Sequence, residues 1–246
     1  MRTLSPTSMQ PLNSATLDGA VIADDVPSSN TFPWRKVVTA EGLPFLVKRV
    51  IDFTGASLGL LLLSPVLVII ALLIRIDSPG PVIFRQRRRG YRGQLFWVFK
   101  FRTMTVDAEQ QLNDLESSNE SHGGVLFKLR QDPRVTRLGS FLRRSSLDEL
   151  PQLINVLFGQ MSLVGPRPLQ LRDSDLLREL DPESYQRRLE IWPGVTGPWQ
   201  VSGRSNLSYD RMVQLDVDYV NNWSLGRDLA IICKTFLVVL FRVGAY

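Results

Sequence analysis

Residues 146–168 read SLDELPQLINVLFGQMSLVGPRP. Proline sits in a helix without losing a hydrogen bond only in the first turn, so Pro151 sets a helix start close to Asp148. Leu150, Leu153, Ile154 and Leu157 follow at helical spacing as one apolar face, and Gly159 is a stop signal. Asp148 and Glu149 then lie at the positive end of a helix dipole, where negative charge is favoured. Gly165-Pro166-Arg167-Pro168 restricts the backbone on both sides of Arg167 and can aim its guanidinium. Two acids and an oriented arginine suit phosphate chemistry with a metal ion. The same residues admit a plainer reading: Asp is a common N-cap, and Ser146 with Glu149 fits a capping box. Taken alone, the stretch leaves both readings open.

Whole-chain properties narrow the chemistry. The chain has 246 residues, a formal net charge of +5 and a pI of about 9.6, which points to acidic or phosphate-bearing partners. A single cysteine, Cys233, excludes an internal disulfide, and a single histidine, His122, excludes a His-rich metal site. Any metal would be oxygen-ligated, hence magnesium or manganese rather than zinc.

Phe53 to Ile74 carries no charge. At about 1.5 Å per residue it is just long enough for a bilayer core of about 30 Å. Ser64-Pro65 lies at its middle, where proline bends a helix. Lys48 and Arg49 precede it, and Arg75, Arg85, Arg87, Arg88, Arg89 and Arg92 follow. A spanning helix normally shows such charge on one side, so basic flanks at both ends predict a re-entrant hairpin turning at Ser64-Pro65, with a kinked single span as the alternative.

Val82-Ile83-Phe84 and Leu95 to Phe99 read as short strands around a Gly90/Gly93 turn. Lys100 and Arg102 follow two residues apart, on one strand face. Beside a membrane segment this basic patch should meet anionic membrane lipids, and the apolar segment argues against nucleic acid. Val106 to Glu120 is acidic and reads as a solvated helix and loop. Lys128, Arg130, Arg134, Arg137, Arg143 and Arg144 then come directly before Asp148, with a strand at Lys128–Arg130 and a short helix or turn over 135–143. Cations here would hold phosphates that the carboxylates act on. That arrangement favours catalysis over capping.

The first 34 or so residues, rich in Pro and Ser, read as a disordered tail without signal-peptide character. Trp34 to Arg49 is an amphipathic lead-in. Leu169 to Leu189 is helical with a break near Asp181-Pro182. Trp192 to Arg204 (WPGVTGPWQVSGR) is a Pro/Gly-rich loop in which Trp192 or Trp199 stacks on a ligand or on the core. Arg204 and Trp199 are candidates for nucleotide contact. Tyr209 to Val220 is helical, and the charges in Leu225 to Val243 make it an interfacial amphipathic helix.

Several blocks together resemble the bacterial sugar transferase family, the monotopic polyprenyl-phosphate phosphoglycosyl transferases that start exopolysaccharide and O-antigen assembly. They are Lys48-Arg49 with Asp52, Ser64-Pro65, DSPGPVIF, Gln86-x-Arg88-x-Gly90, KFRTM, the 146–168 stretch and PGVTGPWQVSGR. The likeness runs from about Lys48 to Tyr246; the extra transmembrane helices of larger members are expected to be absent. It implies transfer of a sugar-1-phosphate from a UDP-sugar to undecaprenyl phosphate with release of UMP. In that scheme the aspartate at position 148 is the nucleophile and forms a covalent phosphosugar intermediate. The glutamate at 149 assists as a base, and magnesium lies near Asp148. The segment from Leu207 onward is similar to members using UDP-glucose or UDP-galactose.

The expected fold is α+β and mostly helical. A disordered tail (1–34) precedes a lead-in and re-entrant membrane helix (35–76). A cytoplasmic catalytic domain with a short β-hairpin (77–215) and a C-terminal interfacial helical segment (216–246) follow. Asp148 and Glu149 are the catalytic candidates, with Asp148 also the metal ligand. Arg167, Lys100, Arg102, Arg88, Arg144 and Arg204 are the candidates for phosphate or substrate, and Ser64 and Pro65 for the helix break. The protein would sit on the cytoplasmic face of a bacterial inner membrane, and a homodimer is compatible with this arrangement. A lipid-phosphate hydrolase and a non-enzymatic membrane scaffold are the competing readings.

Overall fold

The structure is a computed structural model and describes residues 42–108, 110–111, 129, 131–203 and 207–240. The expected tail, the lead-in before Gly42, His122, the acidic stretch beyond Gln111, the strand ends Lys128 and Arg130, and Arg204 lie outside the described residues.

One helix, α1 (Gly42–Asp77), takes up the apolar segment. Its 36 residues make it long and apolar enough to cross a membrane, and only 11% of its most apolar window is buried. Leu61 and Leu62 are 70% and 74% exposed, so this surface needs an apolar surrounding rather than water. The expected break is corrected in one respect: Ser64 and Pro65 are themselves helical, and α1 runs through them. Pro65 has no N–H to offer the Leu61 carbonyl four residues back, and the Ser64 hydroxyl donates to that carbonyl instead, at 2.8 Å.

Both arms of α1 pack on the same body. Phe45 stacks on Trp223 with ring centroids 4.2 Å apart. Ala56 is buried among Phe96, Val98, Leu153, Val156 and Met161. Beyond Pro65, Ile70 and Ile74 are buried against Phe101 and Leu142. The near arm is also fixed by charge. Lys48 Nζ donates to Asp228 Oδ2 at 2.6 Å and to the Val164 carbonyl at 2.9 Å. Asp52 accepts from Ser162 Oγ and from the Leu163 N–H.

The hairpin forms as expected, with longer strands. β1 (Ile83–Arg89) pairs antiparallel with β2 (Leu95–Phe101), Gln86 opposite Val98. The turn uses Arg92 and Gly93 at positive φ. α2 (Arg137–Ser145) is capped by Thr136, whose hydroxyl accepts from the Gly139 N–H. A 3-10 turn (Leu147–Glu149) and α3 (Gln152–Leu157) follow, ending before Gly159 at φ 73°.

β3 (Ser162–Val164) and β4 (Gly194–Thr196) pair in parallel, a two-stranded sheet that the sequence pattern did not announce. Glycine is required where they meet. A Cβ on Gly165 would strike the Trp192 carbonyl, and one on Gly194 would strike the Gly165 amide. α4 (Leu171–Leu180) and α5 (Pro182–Leu189) are split at Asp181, whose carboxylate caps α5 by accepting from the Ser184 N–H. α6 (Tyr209–Asn221) runs through the expected boundary at 215/216, and α7 (Leu225–Leu240) closes the described chain. The architecture is α+β and mostly helical.

Candidate active site

The acid pair lies in the 3-10 turn between α2 and α3. Ser146, just before it, is in the left-handed region at φ 58° and makes no side-chain cap, and Pro151 occupies the N-cap of α3. The capping box is therefore not formed, and neither carboxylate serves as a cap. A helix dipole also contributes less here than expected: α3 is six residues long and starts after Glu149.

The two carboxylates have unlike surroundings. Glu149 Oε1 receives Lys100 Nζ at 2.9 Å and Arg167 Nη2 at 2.6 Å. Burial works to raise its pKa, but Arg167 and Lys100 outweigh burial and hold it well below the usual carboxylate range. Asp148 is 9% exposed and, among the described residues, its carboxylate makes no ion pair or side-chain hydrogen bond. Burial and then the Glu149 charge push it up to about 6, against the pull of Lys100, Arg143 and Arg167. One acid is clamped and ionised. The other is free, ringed by cations, and ionised near neutral pH.

The candidate cations divide. Lys100 reaches the site from β2, where its register opposite Phe84 points it inward. Arg167 arrives from the turn after β3. Arg88, 9% exposed, donates to the Pro168 carbonyl at 3.0 Å, and its charge reaches both Arg167 and Glu149. Arg102 does not join them. β2 ends at Phe101, and the Arg102 guanidinium turns back to the carbonyls of Pro79 and Ser78, at 2.7 and 2.6 Å, fastening the chain just after α1. Arg144 is exposed and, among the described residues, bonds only its own helix at Ser140.

Its neighbour Arg143, named in the basic stretch but not among the phosphate candidates, is the α2 cation whose charge acts on Asp148; its Nε donates to Thr103 Oγ1 at 2.9 Å. The signal was available. With Thr136 as N-cap, Gly139, Leu142 and Arg143 share the inward face, and Arg144 lies about 100° round the helix from Arg143. Trp192 is 2% exposed and stacks on Tyr91, so it belongs to the core. Trp199 is partly exposed and lies under the Arg167 guanidinium, 5.7 Å from ring centroid to Cζ.

Among the described residues no group of three or more Asp, Glu, His or Cys converges as a metal cage. Asp148 offers the uncommitted hard oxygen donors. That suits an ion such as magnesium, which takes one or two protein carboxylates and fills its shell with phosphate oxygens and water.

Comparison with known proteins gives a consistent picture. A family model described as bacterial sugar transferase matches residues 43–242. Galactosyl transferase CpsE of Streptococcus agalactiae is 46% identical over 201 residues, covering 81% of this chain and 43% of the relative. Undecaprenyl-phosphate galactose phosphotransferase of Salmonella typhimurium is 43% identical over 203 residues, covering 81% and 42%. Exopolysaccharide production protein ExoY of Rhizobium meliloti is 42% identical over 204 residues, covering 82% and 88%. The chain thus spans less than half of the first two relatives and most of the third.

Proposed function

The chain belongs to the bacterial sugar transferase family, and from that premise we propose that it transfers a sugar-1-phosphate from a UDP-sugar to undecaprenyl phosphate, an opening membrane step of exopolysaccharide synthesis. The observation that carries this reading is the contrast at the acid pair: Asp148 is free and ringed by Lys100, Arg143 and Arg167, while Glu149 is tied down. An Asp148 oxygen attacks the sugar-linked phosphorus, and the bond from that phosphorus to the UMP oxygen breaks. UMP departs, leaving an acyl phosphate on Asp148. An oxygen of undecaprenyl phosphate then attacks the same phosphorus, and Asp148 leaves as a carboxylate. Lys100, Arg143 and Arg167 stabilise the negative charge on the transferred group. Glu149 takes the remaining acceptor proton when the incoming phosphate draws the cations from it.

Magnesium fits at Asp148, where it would neutralise diphosphate charge. Relatives named for galactose and for glucose transfer support UDP-galactose or UDP-glucose as donor. The apolar surface of α1 and the basic residues beside it support a seat on anionic membrane lipids, at the cytoplasmic face of the inner membrane.

Intact-protein mass spectrometry tests the reaction. Mixing with UDP-glucose or UDP-galactose and magnesium, without lipid, should add one phosphosugar and release UMP, and Asp148→Asn should gain nothing. A wild type that transfers to lipid yet never carries the adduct would remove the covalent step. Free sugar phosphate without lipid product would indicate a hydrolase instead.

A further inference from the structure

Arg167 owes its aim to a turn with few hydrogen-bond donors of its own. Pro166 and Pro168 contribute no N–H, so the turn is held largely through its carbonyls. All three are taken. The Gly194 N–H donates to the Pro166 carbonyl at 2.9 Å, and Arg88 Nη1 to that of Pro168 at 3.0 Å. The carbonyl of Arg167 itself receives Nη2 of Arg188, from α5, at 2.7 Å.

The same Nη2 lies 2.9 Å from Asp216 Oδ2 on α6, and the two side chains are 6% and 0% exposed. Arg167 is thus held at both ends. Its carbonyl is on Arg188, and its guanidinium is on Glu149 at 2.6 Å. Burial pushes the Asp216 carboxyl up to about 6, against Arg188 and the Arg167 backbone N–H, which favour its charged form. An ion pair this deep is a poor means of stabilising a fold, because two charges lose their water and a well-packed apolar pair would do as well. Its geometry points elsewhere, at the backbone of Arg167, the arginine that clamps Glu149.

We propose that Arg188, braced by Asp216, is a positioning residue that fixes the Arg167 backbone and so delivers the Arg167 guanidinium to the reacting phosphate. Neither residue touches substrate. Asp216 pairs with Nη2 of Arg188, and the same nitrogen holds the turn at the Arg167 carbonyl. The inference rests on the phosphoryl-transfer reading above.

The experiment is a double-mutant cycle read on sugar-phosphate transfer from UDP-glucose or UDP-galactose to undecaprenyl phosphate in detergent, with the full chain. Arg188→Ala should lower the saturating rate roughly 10- to 100-fold, as a displaced catalytic group does. It should divide the loss between kcat and KM as Arg167→Ala does. The double variant should stay within about twofold of Arg167→Ala alone, since both changes remove one function. Arg188→Lys keeps a charge opposite Asp216 and should recover part of the rate; it carries the cycle if the alanine variant fails to fold. Arg187→Gln, at an exposed arginine paired with Glu190, should leave the rate unchanged. Losses that multiply in the double variant, or a lowered melting temperature with an unchanged saturating rate, would overturn the positioning role. Wild type that transfers nothing from either donor overturns the reaction reading instead, and the two failures are distinct.

Discussion

Asp148 and Glu149 are adjacent in the chain and opposite in electrostatics, and that difference makes a prediction about stability. Asp148 has its folded pKa raised from 3.8 to about 6, first by burial and then by Glu149. For a raised carboxyl the sign is unfavourable to folding: above pH 6 the folded state carries the whole cost of keeping the charge, and below pH 4 both states are protonated and the cost vanishes. Asp148→Asn should therefore abolish the adduct while stabilising the protein by about 1–3 kcal/mol near neutral pH and by little near pH 4. Urea unfolding in detergent at the two pH values measures this, and an Asn variant less stable than wild type at neutral pH would contradict it. For the same reason wild-type adduct formation should decline as pH falls through about 6. The acid pair and Arg167 were legible from residue type and proline placement. Which acid is clamped and which is free was not, because Lys100 lies in a strand 49 residues from Glu149.

Among the elements, α1 shows how a proline is tolerated where no water can repair it. A carbonyl deprived of its donor inside a lipid-facing helix is costly, and Ser64 supplies the missing bond to Leu61 from one residue away. Ser64→Ala should cost about 1 kcal/mol, whereas the same change in a Pro65→Ala background should cost almost nothing, since residue 65 then has its own N–H for Leu61. Thermal unfolding of the single and double variants in lipid nanodiscs reads the coupling, and equal losses in both backgrounds would show that the hydroxyl acts elsewhere. The apolar run was plain in the sequence from its uncharged length, and the strands from apolar clusters around the Gly90/Gly93 turn. β3 and β4 were not, since three-residue strands have no period, and their pairing rests on Gly165 and Gly194 permitting a close approach. Arg102 was misplaced for a related reason: strand alternation held to Phe101 and stopped one residue short of it.

For the whole molecule, the question is which side of the membrane each end of α1 occupies. A helix that crosses puts its ends about 30 Å apart with the hydrocarbon core between them. A compact body on one side could then touch only one end. Here the body holds both. Phe45 stacks on Trp223 and Lys48 is buried against Asp228, while Ile74 packs on Phe101 and Arg102 fastens the chain at Ser78 and Pro79. The stretch between, with Leu61 and Leu62 outward, is the part left for lipid. Basic residues flank both ends, the pattern a re-entrant helix would show. The single cysteine makes this testable. In a Cys233→Ser background, Leu43→Cys and Asp77→Cys place one thiol at each exposed end of α1. A membrane-impermeant maleimide should label both in inverted inner-membrane vesicles and neither in intact spheroplasts. Labelling of the two positions from opposite sides would make α1 a true span, and the body could not then hold both arms as it does here.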